Sequence, residues 1–224
     1  VLVEVKDSIC VGIKLTLSAM ASMLILGIGR FVIDSHWGII VFGKISFALS
    51  LTTFILAFIQ QVSMVFFPIL RRVDETKQNQ IYQLMREFCF FVMPLVYIVM
   101  IPGKMFIESW LPKYSESVYY LSVLLPICIF DSKMNMIFNT FFKVLRKEKD
   151  LLKINIKSFI LSSALSLMGA FIFDSYWFVI ISMVASVMYR SIVSERKINN
   201  LLEVFLFKGR FIYFVGEFKR IANS

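Results

Sequence analysis

Charged residues are scarce in this sequence. Only 17% of its 224 residues are Asp, Glu, Lys or Arg, whereas 58% are hydrophobic and the mean hydropathy is +0.78. Ordinary globular proteins are about 25% charged, so this chain has too little polar side chain to cover a water-facing domain. We therefore expect an all-α, polytopic membrane protein.

Histidine and paired cysteines are also lacking. The single histidine, His36, falls beside Asp34 and Trp37 in a short polar break, where a solvated side chain is the expected role. The three cysteines lie far apart within apolar stretches, which excludes a disulfide framework or a zinc site. No glycine-rich phosphate loop and no nucleophile beside a base can be found. The sequence predicts no active site for covalent chemistry, no metal and no cofactor.

Long apolar runs dominate the chain. A helix needs about 20 apolar residues to cross a hydrocarbon core about 30 Å thick. Six stretches meet or approach this length, approximately 8–33, 38–68, 88–106, 118–145, 154–173 and 177–192. We expect residues 1–194 to form a lobe of about six transmembrane helices, joined by short breaks as antiparallel neighbours. Residues 195–224 are expected to form a basic amphipathic tail at the cytoplasmic surface.

The basic residues are unevenly distributed between the two sides of the membrane. Most of the 24 Lys and Arg precede the first span, fill the second and fourth breaks or follow the last span, while Trp and Tyr concentrate on the other side. Positive loops remain cytoplasmic, so both ends of this segment are predicted to be cytoplasmic. The same rule accounts for the net charge of +9 without a nucleic-acid partner.

The fourth span carries ionisable groups at membrane depth. Asp131 and Lys133 lie near its centre, where a charge is costly and normally faces a bundle interior or a water-filled cavity. They point about 200° apart on a helix, so each needs a partner elsewhere. Asp131 continues at four-residue spacing into Asn135 and Asn139, which gives a polar stripe. The stripe predicts either a cavity wall or a buried, hydrogen-bonded contact between helices.

Two further spans carry small polar stripes. In the second span, Lys44, Gln60 and Gln61 accompany a face of small and polar residues opposite a bulky one. The small face consists of Ser46, Ser50, Thr53, Ala57, Gln60 and Met64, and the bulky face of Phe47, Leu51, Phe54, Phe58 and Val62. The small face predicts either close helix packing or contact with water. In the fifth span the uncharged stripe of Ser158, Ser162, Ser166 and Gly169 predicts helix packing.

Arg30 ends the first span. Its position allows two roles. Its guanidinium anchors the helix in the phosphate layer, or it faces a central cavity, where its planar donors suit a phosphate or a sugar acid.

The order of these segments resembles the middle of bacterial polysaccharide flippases. These are the O-antigen and capsule exporters of the multidrug/oligosaccharidyl-lipid/polysaccharide exporter superfamily. The similar segments are VGIKLTLS (11–18), GRFVI (29–33), FGKISFALS (42–50), VFFPILRR (65–72), FIESWLPKYSES (106–117) and LLPICIFDSK (124–133). The family's acid before the arginine is absent here, because that position is Gly29.

The resemblance implies two six-helix lobes around a cationic cavity that opens alternately to the two sides of the inner membrane. The cargo would be an undecaprenyl-diphosphate-linked oligosaccharide. This chain would be the second lobe, with the N-terminal half of the same protein and other polysaccharide-assembly proteins as partners. Arg30, Lys44 and Lys133 are then candidate cations for the anionic substrate, and Lys133→Ala should abolish export.

The remaining candidate roles follow from the same placement. Gln60, Gln61, Asn135 and Asn139 are candidate sugar contacts, and Asp131 is the candidate ion- or proton-coupling group. Three alternatives remain open: a drug or cation antiporter of the same superfamily, a membrane-embedded polysaccharide polymerase or glycosyltransferase, and a scaffold protein whose polar stripes only pack.

Overall fold

The computed structural model describes residues 2–72, 75–110, 112 and 115–202. Side chains are described for these residues except 2–7, 58–60, 62–72, 75–79, 88, 90–97, 99, 100, 106, 115 and 202. The longer described elements are all helical: α1 (Leu2–Arg72), α2 (Glu75–Trp110), α3 (Ser115–Lys133), a π-helical turn (Met134–Phe138), α4 (Asn139–Val144), α5 (Glu148–Phe171) and α6 (Tyr176–Leu202). The π-helical turn joins α3 and α4 into one continuous helix. The all-helical expectation is confirmed for the described residues.

Helix α1 bends back on itself at Gly38. This residue has φ 77° and ψ 177°, a conformation open to glycine but strained for other residues. In a straight helix Leu26 and Thr53 would lie about 40 Å apart, yet both line one cavity. Ile33 and Ile45, on opposite sides of Gly38, also share one apolar core. The two arms of α1 are therefore packed side by side.

The sequence predicted a break between helices at residues 34–37, and this position is wrong. These residues remain helical, and the direction changes at the following glycine. His36 Nε2 donates a hydrogen bond to Asp174 Oδ1 of the α5–α6 turn at 3.0 Å, and the His36 ring lies edge-on to Trp37. The turn at residues 172–175 forms where a break was predicted.

Four stretches of the described residues are long and apolar enough to cross a membrane: Ser8–Ala57, Glu116–Val144, Glu148–Phe171 and Tyr176–Leu201. The first has 50 residues, about 75 Å of helix, which is more than twice the hydrocarbon thickness. It contains both arms of α1. The expected third span lies in α2, and most of its side chains fall outside the described set. Four candidate spans support a polytopic membrane protein, while the number six stays a prediction.

Two helix ends differ from the sequence expectation. Helix α5 begins at Glu148 instead of near residue 154, so the basic break shrinks to the turn at residues 145–147. Helix α6 continues to Leu202 instead of ending near residue 192, and it therefore includes the first part of the expected tail. Residues 203–224 lie outside the described part of the chain.

The described core has two apolar clusters, one toward each end of the bundle. The cluster nearer Gly38 joins α1, α3, α5 and α6 through residues such as Ile25, Leu49 and Met183. The cluster nearer Arg146 joins α2, α3, α4, α5 and α6 around Tyr82 and Phe141. We refer to these two ends as the Gly38 end and the Arg146 end.

The packing stripe of α5 agrees with its prediction. Ser158, Ser162 and Ser166 are fully buried. The Ser162 hydroxyl donates to the backbone oxygen of Ile25 in α1 at 2.7 Å, and Ser166 lies 3.3 Å from the Ser182 hydroxyl of α6. Small polar side chains thus allow α5 to approach α1 and α6 closely, as is common between membrane helices.

Helix α2 is attached to α6 at the Arg146 end through Tyr82. Its side chain is fully buried, and its hydroxyl donates to Asn199 Oδ1 at 2.8 Å. Arg86, one turn further along α2, lies 4.0 Å from the Glu195 carboxylate. Burial, and next the negative charge of Glu195, raise the pKa of Tyr82 above its usual range.

Tyr82→Phe is expected to lower the free energy of unfolding by about 1 kcal/mol, because one buried hydrogen bond is lost. A raised pKa means that the folded state favours the neutral phenol. This contribution is complete below about pH 10, where unfolded tyrosine titrates, and is lost as the pH rises toward the folded value. Ultraviolet difference titration should show the late-ionising absorbance reduced by one phenol in Tyr82→Phe. An unchanged late-ionising amplitude in the variant would contradict the assignment, and Tyr119→Phe, at an exposed residue, is the control.

Candidate functional site

A cavity of about 420 Å³ lies between the two arms of α1, the α3–α4 helix, α5 and α6. Its volume falls within the usual range of about 300–1,000 Å³ for ligand pockets. The polar residues that line it are Ser18, Ser22, Arg30, Thr53, Asp131, Asn135, Asn139, Lys143, Asn155 and Arg190. All of these lie within stretches long and apolar enough to cross a membrane. The cavity is therefore a polar space inside an apolar bundle.

Asp131 forms an ion pair with Arg190 of α6. Its Oδ1 accepts from Arg190 Nη2, and Arg190 Nη1 donates to the Ser22 hydroxyl of α1. The Arg190 side chain is 2% exposed and that of Asp131 is 16% exposed. The expectation that Asp131 requires a partner on another helix is confirmed. The pair connects α1, α3 and α6 in the middle of the cavity wall.

The stripe from Asp131 forms a ladder of hydrogen bonds along the α3–α4 helix. Asn135 Nδ2 donates to Asp131 Oδ2 at 3.0 Å, and Asn139 Nδ2 donates to Asn135 Oδ1 at 3.0 Å. In an α-helix each four-residue step drifts by about 40°. The π-helical turn at Met134–Phe138 rotates less per residue and offsets this drift. It thereby keeps Asp131 and Asn139 on the cavity side.

Arg30 lines the same cavity from the first arm of α1, as the second interpretation of this residue requires. Its Nε is buried without a hydrogen-bond partner among the described residues. The neighbouring Gly29 packs against α6, and a Cβ there would lie 2.5 Å from Met183 Sδ. A side chain at this position would therefore require Met183 to move.

Several predicted site residues do not line this cavity. Lys133 is half-buried on the α3–α4 helix but turned away from the cavity, because it points about 200° from Asp131. Lys44 pairs with Glu116 at the Gly38 end. Gln61 is exposed, and the side chain of Gln60 lies outside the described set. The structure thus groups Arg30, Asp131, Asn135 and Asn139, and separates them from Lys44, Lys133 and Gln61.

The small polar face of the second α1 arm is directed away from the core. Ser50, Thr53 and Ala57 are exposed, and Thr53 also lines the cavity. The side that packs consists instead of Ile45, Ala48, Leu49, Thr52 and Leu56. Phe54, of the predicted bulky face, is 63% exposed. The hydroxyl of Ser46 is buried, so only the part of the small face from Ser50 to Ala57 is left uncovered in the described chain.

Arg190 is the main functional candidate that sequence reasoning missed. The expected last span ended near residue 192, which made Arg190 a residue of the cytoplasmic boundary. Because α6 runs from Tyr176 to Leu202, Arg190 lies near its middle. One signal was available in the sequence: Ser182 and Ser186 precede Arg190 at four-residue spacing and form a polar stripe toward it. Asn155 was also missed, and it donates to Ser18 across the cavity wall at 2.8 Å.

The charge of the cavity favours anions. Its described lining contains three cationic side chains, Arg30, Lys143 and Arg190, and one carboxylate, Asp131. This leaves a formal charge of +2, with amide and hydroxyl groups beside it. Guanidinium groups bind phosphate and carboxylate groups through two parallel hydrogen bonds. The arrangement suits a ligand with a doubly charged anionic group and polar substituents.

In the described part of the chain, no three His, Cys, Asp or Glu side chains are placed to hold a metal ion together. No protein-family model, no characterised protein and no solved structure matches this chain.

Proposed function

We propose that this chain is one lobe of a membrane transporter for an anionic, phosphate-linked oligosaccharide. The supporting observation is the cationic cavity, in which Arg30, Lys143 and Arg190 border one carboxylate within membrane-length helices. A buried charge in a membrane protein normally marks a substrate pathway, and here positive charges predominate. Amide groups of Asn135 and Asn139 supply contacts suited to sugar hydroxyls.

The lobe interpretation is supported by the exposed polar face of α1. Ser50 and Thr53 are exposed, and Thr53 borders the cavity. Polar residues of membrane helices usually face protein or water instead of lipid. A second lobe of the same protein would cover this face and enlarge the cavity for an oligosaccharide. In this proposal the full transporter moves the lipid-linked sugar between the two leaflets by alternating access, in the bacterial inner membrane.

A cation antiporter is less well supported, because the only acidic lining residue among the described ones, Asp131, is already paired with Arg190. A polymerase or a scaffold protein makes a different experimental prediction, since neither would move lipid-linked sugar between leaflets. The decisive experiment is therefore transport by the purified full-length protein in vesicles, with a fluorescent polyprenyl-diphosphate oligosaccharide as substrate.

Arg30→Gln is expected to lower the transport rate at least about tenfold. A hydrogen bond to a charged group contributes about 1.5–3 kcal/mol, and 1.4 kcal/mol corresponds to a factor of ten. Arg86→Gln is the matched control, because Arg86 is also a partly buried arginine but lies outside the cavity. Lys133→Ala should leave transport largely intact, contrary to the expectation from sequence. Equal rates for Arg30→Gln and Arg86→Gln would contradict the proposed cavity.

A further inference from the structure

Arg190 is already occupied by a carboxylate of its own protein. We propose that Asp131 fills the anion-binding position of Arg190, and that a phosphate-type anion entering the cavity displaces it there. The inference deepens the proposed function and rests on it in one respect, namely that the cavity admits an anionic substrate. In this proposal Asp131 is an exchangeable counter-ion, and Arg190 is the residue that binds the substrate.

The contacts of Arg190 leave part of its binding edge unused. The Nε and Nη2 groups of a guanidinium point along the same edge and together can bind two oxygens of one anion. Asp131 engages Nη2 through a single oxygen. Nε of Arg190 is buried and has no hydrogen-bond partner among the described residues. A phosphate group that bound both nitrogens would satisfy the donor that Asp131 leaves unpaired.

Asp131 retains a donor when it leaves Arg190. Its second oxygen, Oδ2, accepts from Asn135 Nδ2 at 3.0 Å. Asn135 is itself supported by Asn139, whose Nδ2 donates to Asn135 Oδ1. Hydrogen bonds to the charged form stabilise a carboxylate. The asparagine ladder therefore provides a position for Asp131 on its own helix while the incoming anion holds Arg190.

Charge balance favours the exchange. Arg30, Lys143 and Arg190 carry three positive charges, and the ionised Asp131 reduces the formal charge of the described lining to +2. A phosphate-type dianion compensates this charge, whereas Asp131 alone does not. The internal carboxylate lowers the apparent affinity for the dianion, because it competes for the same guanidinium. Removal of the competitor should therefore strengthen binding.

The test measures binding of inorganic pyrophosphate to the full-length protein in nanodiscs of zwitterionic lipid by isothermal titration calorimetry. Asp131→Asn is expected to raise the affinity at least tenfold, because the carboxylate is gone while an amide oxygen can still accept from Arg190. Arg190→Gln should abolish this binding. In the double variant the Asp131 substitution should give no gain, since the shared ligand is missing.

Glu195→Gln is the matched control. It removes one carboxylate from another half-buried ion pair of α6, with Arg86, at a residue that does not line the cavity. It changes the net charge by the same amount, so an effect of net charge alone would raise pyrophosphate affinity equally in both variants. Such an equal gain, or no gain in Asp131→Asn, overturns the exchange. Asp131→Ser, which also removes the carboxylate, must show the same gain, so that a folding defect in one variant leaves the test decisive.

A second arm separates the two sources of the anion. Farnesyl diphosphate replaces inorganic pyrophosphate in the same titration. If Asp131→Asn binds both ligands more tightly, the site recognises the diphosphate alone. If it binds only farnesyl diphosphate more tightly, the site recognises a lipid headgroup. Either outcome supports the exchange. Vesicle transport is scored independently. Loss of the proposed transport with a retained Asp131→Asn gain would remove the function but keep the exchange, and the reverse pattern would remove the exchange alone.

Discussion

Arg190→Met should destabilise the protein by about 3–5 kcal/mol, because it leaves the Asp131 carboxylate unpaired in a membrane bundle. Arg190 is 2% exposed and joins α1, α3 and α6 through Ser22 and Asp131. Both the ion pair and the bridge between helices are lost. The free energy of unfolding is measured by titration with a denaturing detergent in mixed micelles.

The double variant Arg190→Met with Asp131→Leu should recover most of this loss. Replacement of a whole buried ion pair by apolar side chains is often neutral or stabilising, whereas removal of one member is strongly destabilising. The expected signature is thus a large coupling energy in the double-mutant cycle. The exposed pair Lys104–Glu108 is the control, and Lys104→Met should change stability by less than about 0.5 kcal/mol.

A small loss in Arg190→Met, similar to that in Lys104→Met, would show that Asp131 is solvated well enough to need no partner. The pair would then contribute little to holding the three helices together. A pair this weak would also compete little for Arg190, so the expected tenfold gain in Asp131→Asn would shrink with it. The stability experiment therefore tests the structural role of the pair and the binding experiment its functional role.

The part of the site on the fourth span was predictable from spacing alone. Asp131, Asn135 and Asn139 recur every four residues, and this periodicity places them on one face of a helix. A carboxylate at membrane depth requires a partner, so the need for a cation on another helix was also predictable. The spacing of Ser182 and Ser186 points toward Arg190, but nothing in the sequence pairs residue 190 with residue 131.

Arg190 and Gly38 show that the ends of helices could not be located from hydropathy alone. Polar residues such as Asp34 and Glu195 indicate a break when hydropathy is the only signal, yet helices continue past both. Backbone hydrogen bonds within a helix are satisfied regardless of side-chain polarity, so a polar residue does not by itself end the helix. The bend requires a residue with positive φ, and the glycine supplies it. Because α6 continues to Leu202, Arg190 lies near the middle of the helix instead of near its end.

The other unpredicted element is the π-helical turn at Met134–Phe138. No proline or glycine marks it in the sequence. Its Met134, Met136, Ile137 and Phe138 are buried in the core near the Arg146 end. Packing of these side chains on one side and the hydrogen-bonded asparagine ladder on the other both favour the wider turn. The wider turn is thus stabilised by contacts with other helices, which local helix propensity does not describe.

Gly169→Leu should lower the free energy of unfolding by about 3 kcal/mol, the upper end of typical overpacking costs. A Cβ at this position would lie 2.9 Å from Phe178 Cδ1 and 2.9 Å from Val179 Cγ2. It would also lie 3.3 Å from the backbone nitrogen of Val179, which cannot rotate away as a side chain can. The substitution must therefore separate α5 from α6.

Gly12→Leu is the matched control, because a Cβ at Gly12 has no atom within 4 Å among the described contacts and the residue is exposed. Leucine has a better helix propensity than glycine by up to about 1 kcal/mol, so this variant should be neutral or more stable. The two proteins are compared by detergent denaturation and by the proposed transport assay. Separation of α6 from α5 also shifts Arg190 relative to Asp131, so Gly169→Leu should lower transport as well as stability. If Gly169→Leu matched Gly12→Leu in both measurements, the close contact of α5 with α6 would be refuted, and with it the helix arrangement that brings Arg190 to the cavity.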